Sequence, residues 1–541
     1  PSKIRKDIKK GIKKSNIYEI SNRKKAIEEA IKNLNTGDLL LVAGRGHEKV
    51  QDYGKRKILL SDKKVILQSI NLKNKFLSNN FKLNIINEQS KSKISNRLMI
   101  KNISINSKTI TKNDIFFAIK GKKIDGNMFI SEALKKKSSL AIVNKFDQNY
   151  PLSKQVKVKN SLNFLTKCSS IFRKNINAKI ISITGSCGKT TLKEMIGLTL
   201  KKIAKTTFSP KSFNNKYGVP LSLFNLDQDD EFGVFEVGMD KKGEIDNLTK
   251  IINPDLGIIT NISYAHSKNF KSINQIADAK AEIMKNIKEN GTIVLNMDDK
   301  FYQYHKNFAL KKKLKIITFG IKNKYAMSKL IKVKKINDKF ELFININKLS
   351  LSFYTRNKNT SNLYNILATL ASISLYIDIK NLKKDIFLNL KTPVGRGDIS
   401  KIKSKNRKFF LVDETYNSNP LSLKTAIENY DEIQIKKSKK YLILGDMLEL
   451  GKHSTRQHKL ISRVINKTKI DKVYVIGKYV QETFKNLKRN KKAKILTNKQ
   501  GIIDVINNKL SNNDYLMIKG SNATGLHKIA TKLKKRVSNA I

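Results

Sequence analysis

The chain is poor in the residues that staple, stiffen or anchor a fold. Its 541 residues include 2 cysteines, 7 prolines, 6 histidines and no tryptophan. Cys168 and Cys187 alone cannot build a disulfide framework, which excludes the small cross-linked secreted class and predicts a reducing compartment. Long apolar runs are missing too. The longest apolar helix candidate, residues 363–377, is interrupted by Asn365 and falls short of the ~20 residues that span a bilayer. With no secretory signal legible at its start, the chain is expected to be soluble and cytoplasmic. Acidic residues are scarce, 44 against 109 Lys+Arg, for a net charge of +65. Such an excess invites a nucleic-acid reading, yet only 13 of the 109 are arginine, the residue that reads guanine and stacks on bases. The lysines are spread along the whole length among Ile and Asn instead of forming one basic face. They predict weak, non-specific attraction to polyanions and anionic membrane surface. The length itself suggests about three or four domains.

What is present is concentrated in residues 179–202, KIISITGSCGKTTLKEMIGLTLKK. A mostly apolar strand runs into a glycine-bracketed turn and then directly into a helix. Main-chain N–H groups after Gly185 are expected to face a polyphosphate, with the positive end of the helix dipole behind them. Gly185 and Gly188 allow that close approach because a Cβ would hold the phosphates off. Lys189 then supplies a point charge to the β- and γ-phosphates, and the Thr190 hydroxyl is placed to ligate Mg²⁺. The loop reads T-G-S-x-G-K-T-T (Thr184, Gly185, Ser186, Cys187, Gly188, Lys189, Thr190, Thr191), shorter than the common G-x-x-x-x-G-K-[ST] form. A plain Gly/Ser turn between core elements is the bland alternative.

Further along, residues 232–237 read as a buried strand ending in Glu236. A carboxylate at the C-terminal end of a parallel strand, beside a phosphate loop, lies where open α/β sheets gather ligands, so Glu236 is a candidate for Mg²⁺. The strand at residues 256–262 brings Asn261 and then His266 to the same edge. Asn214, Asn215, Gly218 and Pro220 read as a turn before a helix. Lys280, within AKAEIM, is by composition one more lysine, and Asp298 and Asp299 are candidates to cap a helix. Residues 311–355 read as short alternating strands, an antiparallel appendage to the parallel sheet. From residue 393 onward strand and helix candidates alternate, which predicts a doubly wound sheet. Residues 71–97 turn polar and rich in Lys, Asn and Ser, the composition of a linker. Before them lie a helix candidate at 22–33 and an apolar strand candidate at 39–42.

Several stretches in family order resemble the Mur ligase family. They are the phosphate loop, A-K-x-E-I around Lys280, T-P-V-G-R at 392–396, DETYNSNP at 413–420, GDMLELG at 445–451 followed by His458, and KGSNA at 519–523. Together with ISINSKTITKNDIFFAIKGKKIDGNMFISEAL they point to the MurF branch, which adds D-alanyl-D-alanine. The resemblance covers residues 95–541. It implies an α/β protein of three domains: a UDP-sugar-binding domain at 95–172, a central parallel-sheet ATPase domain at 173–390 and a Rossmann-like domain at 391–541. The activity implied is ATP-dependent, ADP-forming ligation of D-alanyl-D-alanine to UDP-MurNAc-tripeptide through an acyl phosphate, with ATP and Mg²⁺. By resemblance Ser107, Lys108, Gly121, Asp125 and Gly126 hold the UDP-sugar; the family usually has D-S-R where this chain has Asn106-Ser107-Lys108. Asn362 and Asn365 face adenine, Arg396 and Asp413 close over the nucleotide, and Asn417 and Ser418, with Asn214 and Asn215, meet the peptide substrates. Lys280 is expected to be carbamylated and to join Thr190, Glu236 and His266 around Mg²⁺.

Residues 1–75 resemble the C-terminal end of the MurE branch, whose G-K-G-H-E signature here reads Gly44-Arg45-Gly46-His47-Glu48. The remainder of that enzyme does not accompany it, so the segment is expected to be a remnant without activity of its own, joined to or associated with a MurE body, and followed by a linker at 76–94. Two other functions stay open at this point. One is another Mur-type ligase such as a tripeptide synthetase, against which the absence of Asp-Asn-Pro-Arg argues. The other is a basic nucleic-acid-binding ATPase.

Overall fold

The computed structural model describes residues 2–12, 17–35, 37–44, 48–52, 57–95, 98–121, 123–390, 393–404, 407–435 and 437–538. The chain divides into two compact units, Pro1–Asn177 with Phe224–Asp229, and Ala178–Leu223 with Asp230–Ile541.

In the first unit, helix Arg23–Asn33 is capped by the Asn22 side chain and packs Ile27 and Ile31 against Val65 of a long helix, Asp62–Ser90. That second helix occupies the stretch expected to be a linker. Its last half buries Leu83, Ile85 and Ile86, and Lys75 pairs with Asp227 at 2.8 Å, so the segment is part of the unit's core. Composition misled because Ser78, Asn79 and Lys82 are themselves buried on the same face. Residues 39–42, expected to be a strand, pair with none among the described residues, and Leu39 and Leu41 are 99% and 89% exposed. A strand needs a neighbour to satisfy its backbone groups. The only described strands nearby, Val50–Asp52 and Lys57–Leu59, pair with each other. Of the G-K-G-H-E-like signature, residues 45–47 lie outside the described residues. Beyond the long helix, Ile103–Ser104, Ile115–Phe117, Leu140–Val143 and Gln155–Lys157 form a parallel four-stranded sheet in that order.

The second unit holds two sheets. Among the described residues nine strands form the larger, with Lys179–Thr184 between Leu256–Ile259 and Phe232–Glu236, these three parallel. Being covered on both faces, these strands are continuously apolar instead of alternating. Lys315–Gly320 continues the parallel set, and Ser328–Ile336, Lys339–Ile346 and Leu349–Thr355 form the antiparallel extension the alternation predicts. Helices Lys189–Leu200 and Thr360–Ile373 cover one face and share its core through Leu192, Ile196, Ile366 and Leu370. The smaller sheet has six strands among the described residues. Arg407–Glu414, Tyr515–Lys519, Lys440–Gly445, Lys472–Ile476 and Lys492–Ile495 run parallel, and Asp398–Ser404 adds an antiparallel edge. Separate cores, one around Ile443 and Ile518 and one around Leu442 and Met517, lie on its two faces, as double winding requires. Among the described residues no helix is long and apolar enough to cross a membrane.

Candidate active site

The site begins where strand Lys179–Thr184 ends. Gly185 takes φ +144°, and a Cβ there would lie 1.9 Å from Thr260 Oγ1, so the turn admits no other residue. Gly188, at φ +84°, caps helix Lys189–Leu200. The end of strand Leu256–Ile259 holds the turn from beside it. Thr260 Oγ1 donates to the Cys187 carbonyl at 2.6 Å, and Ser186 Oγ donates to the Ser263 carbonyl at 2.9 Å. The N–H groups of Ser186 and Cys187 donate to the carbonyl and side-chain oxygens of Asn261. Those two amides were expected to face the phosphates. The donors for an anion are instead those of the helix's first turn, which have no intrahelical acceptor. Lys189 is half-buried and bends back so that Nζ donates to the Gly185 carbonyl at 2.9 Å. Thr184 Oγ1 is buried without a hydrogen-bond partner.

Thr190 is the hub. Its Oγ1 donates to Glu236 Oε2 at 2.6 Å, lies 3.0 Å from Ser212 Oγ and accepts from Arg396 Nη2 at 3.0 Å. Glu236 is 2% exposed, and its other oxygen accepts from Asn214 Nδ2 at 2.7 Å. A hydroxyl and a carboxylate with hard oxygens side by side, at the mouth of a phosphate loop, suit Mg²⁺, which takes one or two protein oxygens and completes its shell with phosphates and water. Among the described residues no group of three or more His, Cys, Asp or Glu side chains is arranged to hold a metal.

Lys280, at the end of helix Ile273–Ala281, is buried, and burial, ahead of the neighbouring Lys189 charge, pushes its ammonium well below the usual lysine range. Burial therefore favours its neutral amine form. Glu282, two residues on, accepts from the N–H groups of Gly243 and Asp246 and caps helix Glu244–Ile252. His266 stands between two carboxylates. Its Nδ1 lies 3.1 Å from Asp240 Oδ1 and 2.8 Å from Glu449 Oε2, close enough for ion pairs but not aligned for a directed hydrogen bond to either. Burial opposes its charge, but the two carboxylates prevail and raise its pKa. Where a ligand role beside Thr190 and Glu236 was expected, the structure shows the ring nitrogen Nδ1 engaged in an ion pair that reaches the smaller sheet's loop.

That smaller sheet closes over the phosphate loop. Gly395 and Gly397, at φ +77° and +95°, flank Arg396 and let the chain double back. The guanidinium stacks 4.0 Å from the ring centroid of Tyr416, whose hydroxyl donates to Ser212 Oγ. Asn419 caps helix Pro420–Asp431, accepts from the Cys187 thiol at 3.1 Å and donates to the Ser186 carbonyl at 3.3 Å. Asp413 is not open to a ligand: one oxygen accepts from the N–H and hydroxyl of Thr415, and the other pairs with Lys534, which also pairs with Asp398. Asp398 in turn accepts from the Gly395 N–H at 2.6 Å, so Asp413 sets the Arg396 turn from behind. Asn417 is exposed, and Ser418 is buried with its hydroxyl unpartnered, the state a bound polar group would relieve. The loop 445–451 is fixed by Met447 N–H donating to His458 Nε2 at 3.0 Å, and the Glu449 carbonyl accepts from Lys268 N–H.

The remaining candidates divide. Asn365 is buried beside the loop, its Oδ1 3.5 Å from where a Cβ on Gly188 would stand. Asn362 instead donates to Thr355 and the Asn357 carbonyl, closing its own turn, and Asn215 accepts from Tyr217 and Gly218 N–H. Thr191 is half-buried on the helix's first turn. Thr392 lies outside the described residues. In the first unit Ser107 is buried and donates to Glu132 at 2.7 Å, while Lys108 is exposed. Gly121 N–H donates to the Ile124 carbonyl at 2.9 Å, Asp125 caps the turn at Asn127, and a Cβ on Gly126 would collide with Ile119 N at 2.5 Å. Tyr416, Ser212, Asn419 and Lys534 were not singled out from the sequence. Two of them stand inside DETYNSNP, but only the fold shows which letters of that string face the loop.

Three family models match the chain: the Mur ligase catalytic domain at residues 99–173, the Mur ligase middle domain at 183–373 and the Mur ligase glutamate ligase domain at 400–522. UDP-N-acetylmuramoyl-tripeptide--D-alanyl-D-alanine ligase of Buchnera aphidicola subsp. Acyrthosiphon pisum is 33% identical over 445 residues, 81% of this chain and 94% of that one. The enzyme of the same name from Rickettsia prowazekii is 32% identical over 447 residues, covering 81% and 96%. Among solved structures, the MurF ligase of Thermotoga maritima in complex with ADP is similar at a TM-score of 0.67 and 25% identity, over 82% of this chain and 100% of that one.

Proposed function

The chain belongs to the Mur ligase family, and from that premise we propose that it joins D-alanyl-D-alanine to UDP-MurNAc-tripeptide at the expense of ATP in peptidoglycan precursor synthesis. Relatives named for D-alanyl-D-alanine ligation favour this reading over a tripeptide synthetase, and the family match favours it over a nucleic-acid-binding ATPase. A peptide carboxylate is a poor electrophile, so one of its oxygens first attacks the γ-phosphorus of ATP, giving an acyl phosphate and ADP. Lys189 neutralises charge on the phosphoryl group in flight, with the first-turn amides of its helix. The amine of D-alanyl-D-alanine then attacks the acyl carbon, and phosphate leaves with the C–O bond electrons. Thr190 and Glu236 would hold Mg²⁺, which supplies further charge neutralisation at the phosphates. Arg396 closes the mouth of the loop and keeps water from the acyl phosphate. Asn417 and the unpartnered Ser418 hydroxyl receive the incoming dipeptide.

Lys280 is the candidate for carbamylation. Carbon dioxide reacts with a neutral amine, and burial favours that form. We place the UDP-sugar on the first unit at residues 95–172, the nucleotide on 173–390 and the closing groups on 391–541. The reaction is placed in the cytoplasm, in keeping with two unpaired cysteines. Residues 1–75 are read as a MurE-like remnant able to associate with a MurE body. The observation that carries the reading is the Thr190–Glu236–Arg396 cluster at the phosphate loop of a chain with these relatives. The purified chain should release ADP only with both UDP-MurNAc-tripeptide and D-alanyl-D-alanine present. ATP turnover stimulated by DNA, without a peptide product, would overturn it.

A further inference from the structure

Lys193 stands one turn after Lys189 on the phosphate-loop helix, and it is 0% exposed. Its Nζ donates to the Ser209 carbonyl at 2.5 Å and the Lys211 carbonyl at 2.7 Å. The next turn of the same face is Gly197, where a Cβ would strike the Phe208 ring at 2.5 Å, so the helix lies directly on strand Thr206–Phe208 and the ammonium reaches the turn that follows. Lys211 takes φ +48°, an uncommon left-handed conformation that the bond to its carbonyl helps to hold. The residues delivered by that turn are Ser212, beside Thr190, and Asn214, on Glu236. A buried ammonium is costly unless its protons are satisfied, and two carbonyls with Glu194 at 3.7 Å meet that need.

We propose that Lys193 is a positioning residue for the phosphoryl-transfer step: by holding the 209–211 turn it sets Ser212 and Asn214 and, through them, the Thr190–Glu236 pair. This rests on the functional reading above, and wild-type ligation measured in the same assay tests that reading separately. In the full chain, Lys193→Met should lower kcat by at least about tenfold while KM for UDP-MurNAc-tripeptide, which binds on the first unit, changes less than about twofold. Amide hydrogen exchange at residues 211–214 should accelerate. Adding Asn214→Ala to Lys193→Met should cost less than the two single effects combined, because both act on Glu236 through the same turn. Native kcat, unchanged exchange at 211–214, or additive effects would overturn the proposal with the wild-type activity intact. If Lys193→Met does not fold, Lys193→Gln, which keeps an uncharged N–H donor group, is held to the same readouts. Failure of both to fold would overturn it in favour of a purely structural lysine.

Discussion

Truncation of the N-terminal segment tests whether the helix Asp62–Ser90 is a connector or part of the first unit. Its early residues Leu67 and Leu72 are 53% and 70% exposed, whereas Leu83, Ile85 and Ile86 are 0%, 2% and 0% exposed. Burying one such side chain contributes about 1.5–3 kcal/mol, so the three together contribute roughly 5–9 kcal/mol. Compactness of the unfolded chain makes this an upper figure, but it is comparable with the whole stability of a domain, about 5–15 kcal/mol. The polar anchors Lys75 to Asp227 and Asn74 to Asp229 lie mid-helix, so a cut at residue 75 would sever them while a cut at 61 would not. Deleting residues 1–61 strips Ile27 and Ile31 from Val65 and removes the Ser61 cap, so it should lower the melting temperature but leave KM for UDP-MurNAc-tripeptide near its native value. Deleting 1–90 should unfold the first unit and abolish that substrate's binding. The point-substitution version is cleaner: Leu83→Ala should cost about 2–5 kcal/mol and Leu72→Ala less than about 0.5 kcal/mol in denaturant titration. A Leu83→Ala protein with native stability, or an active chain beginning at residue 91, would refute the reasoning.

Lys189→Ala should lower substrate-dependent phosphate release by at least about 100-fold, since it removes the point charge at the transferring group; persistent turnover would take the loop out of the mechanism. Lys280→Ala should lose activity to a similar degree, and a short carboxylic acid in the buffer should restore part of it, because such an acid can replace a carbamate. Full activity without the acid would discard the carbamate. The His266 contact gives a pH signature. Its folded pKa is raised by Asp240 and Glu449 against burial and the Lys189 charge, so its stabilising contribution is complete below the ordinary histidine value and is lost as pH rises through the folded one. Asp240 and Glu449 are lowered by the same contact, so their contributions are present above the ordinary carboxylate values and lost on acidification. The gap in melting temperature between wild type and His266→Gln should therefore be wider at about pH 5.5 than at about pH 8.5. A gap that widens with pH would contradict the ion pair.

The parallel sheets were legible because a strand covered on both faces must be apolar throughout. Residues 180–183, 232–236 and 441–444 could be nothing else once followed by glycine, carboxylate or turn. The long helix was illegible for the converse reason. In a chain with so many lysines and asparagines, composition no longer separates solvent from interior, and Ser78, Asn79 and Lys82 are buried where leucines would have announced a helix face. Residues 39–42 carry the apolar signal of a strand in full. A strand, however, is a property of a pair, and no partner stands beside them among the described residues.

The site divides along a similar line. What one continuous segment makes, the Gly185 turn with Lys189 and Thr190, can be read from spacing, since the chemistry lies in the local backbone. What two distant segments make cannot. Tyr416 meets Ser212 across 204 residues, Arg396 meets Thr190 across 206 and Cys187 meets Asn419 across 232. Family strings located those regions, but they could not tell a group that faces the loop from one that holds the facing group in place. Asp413 illustrates the cost. Expected at the nucleotide, it instead joins Lys534 and Asp398 behind the Gly395–Gly397 reversal, and the residue exposed to the loop by that arrangement is Arg396. The acidic letter of the string therefore supports that reversal, and its substitution should act through Arg396 and its bond to Thr190, leaving Lys189 as it is.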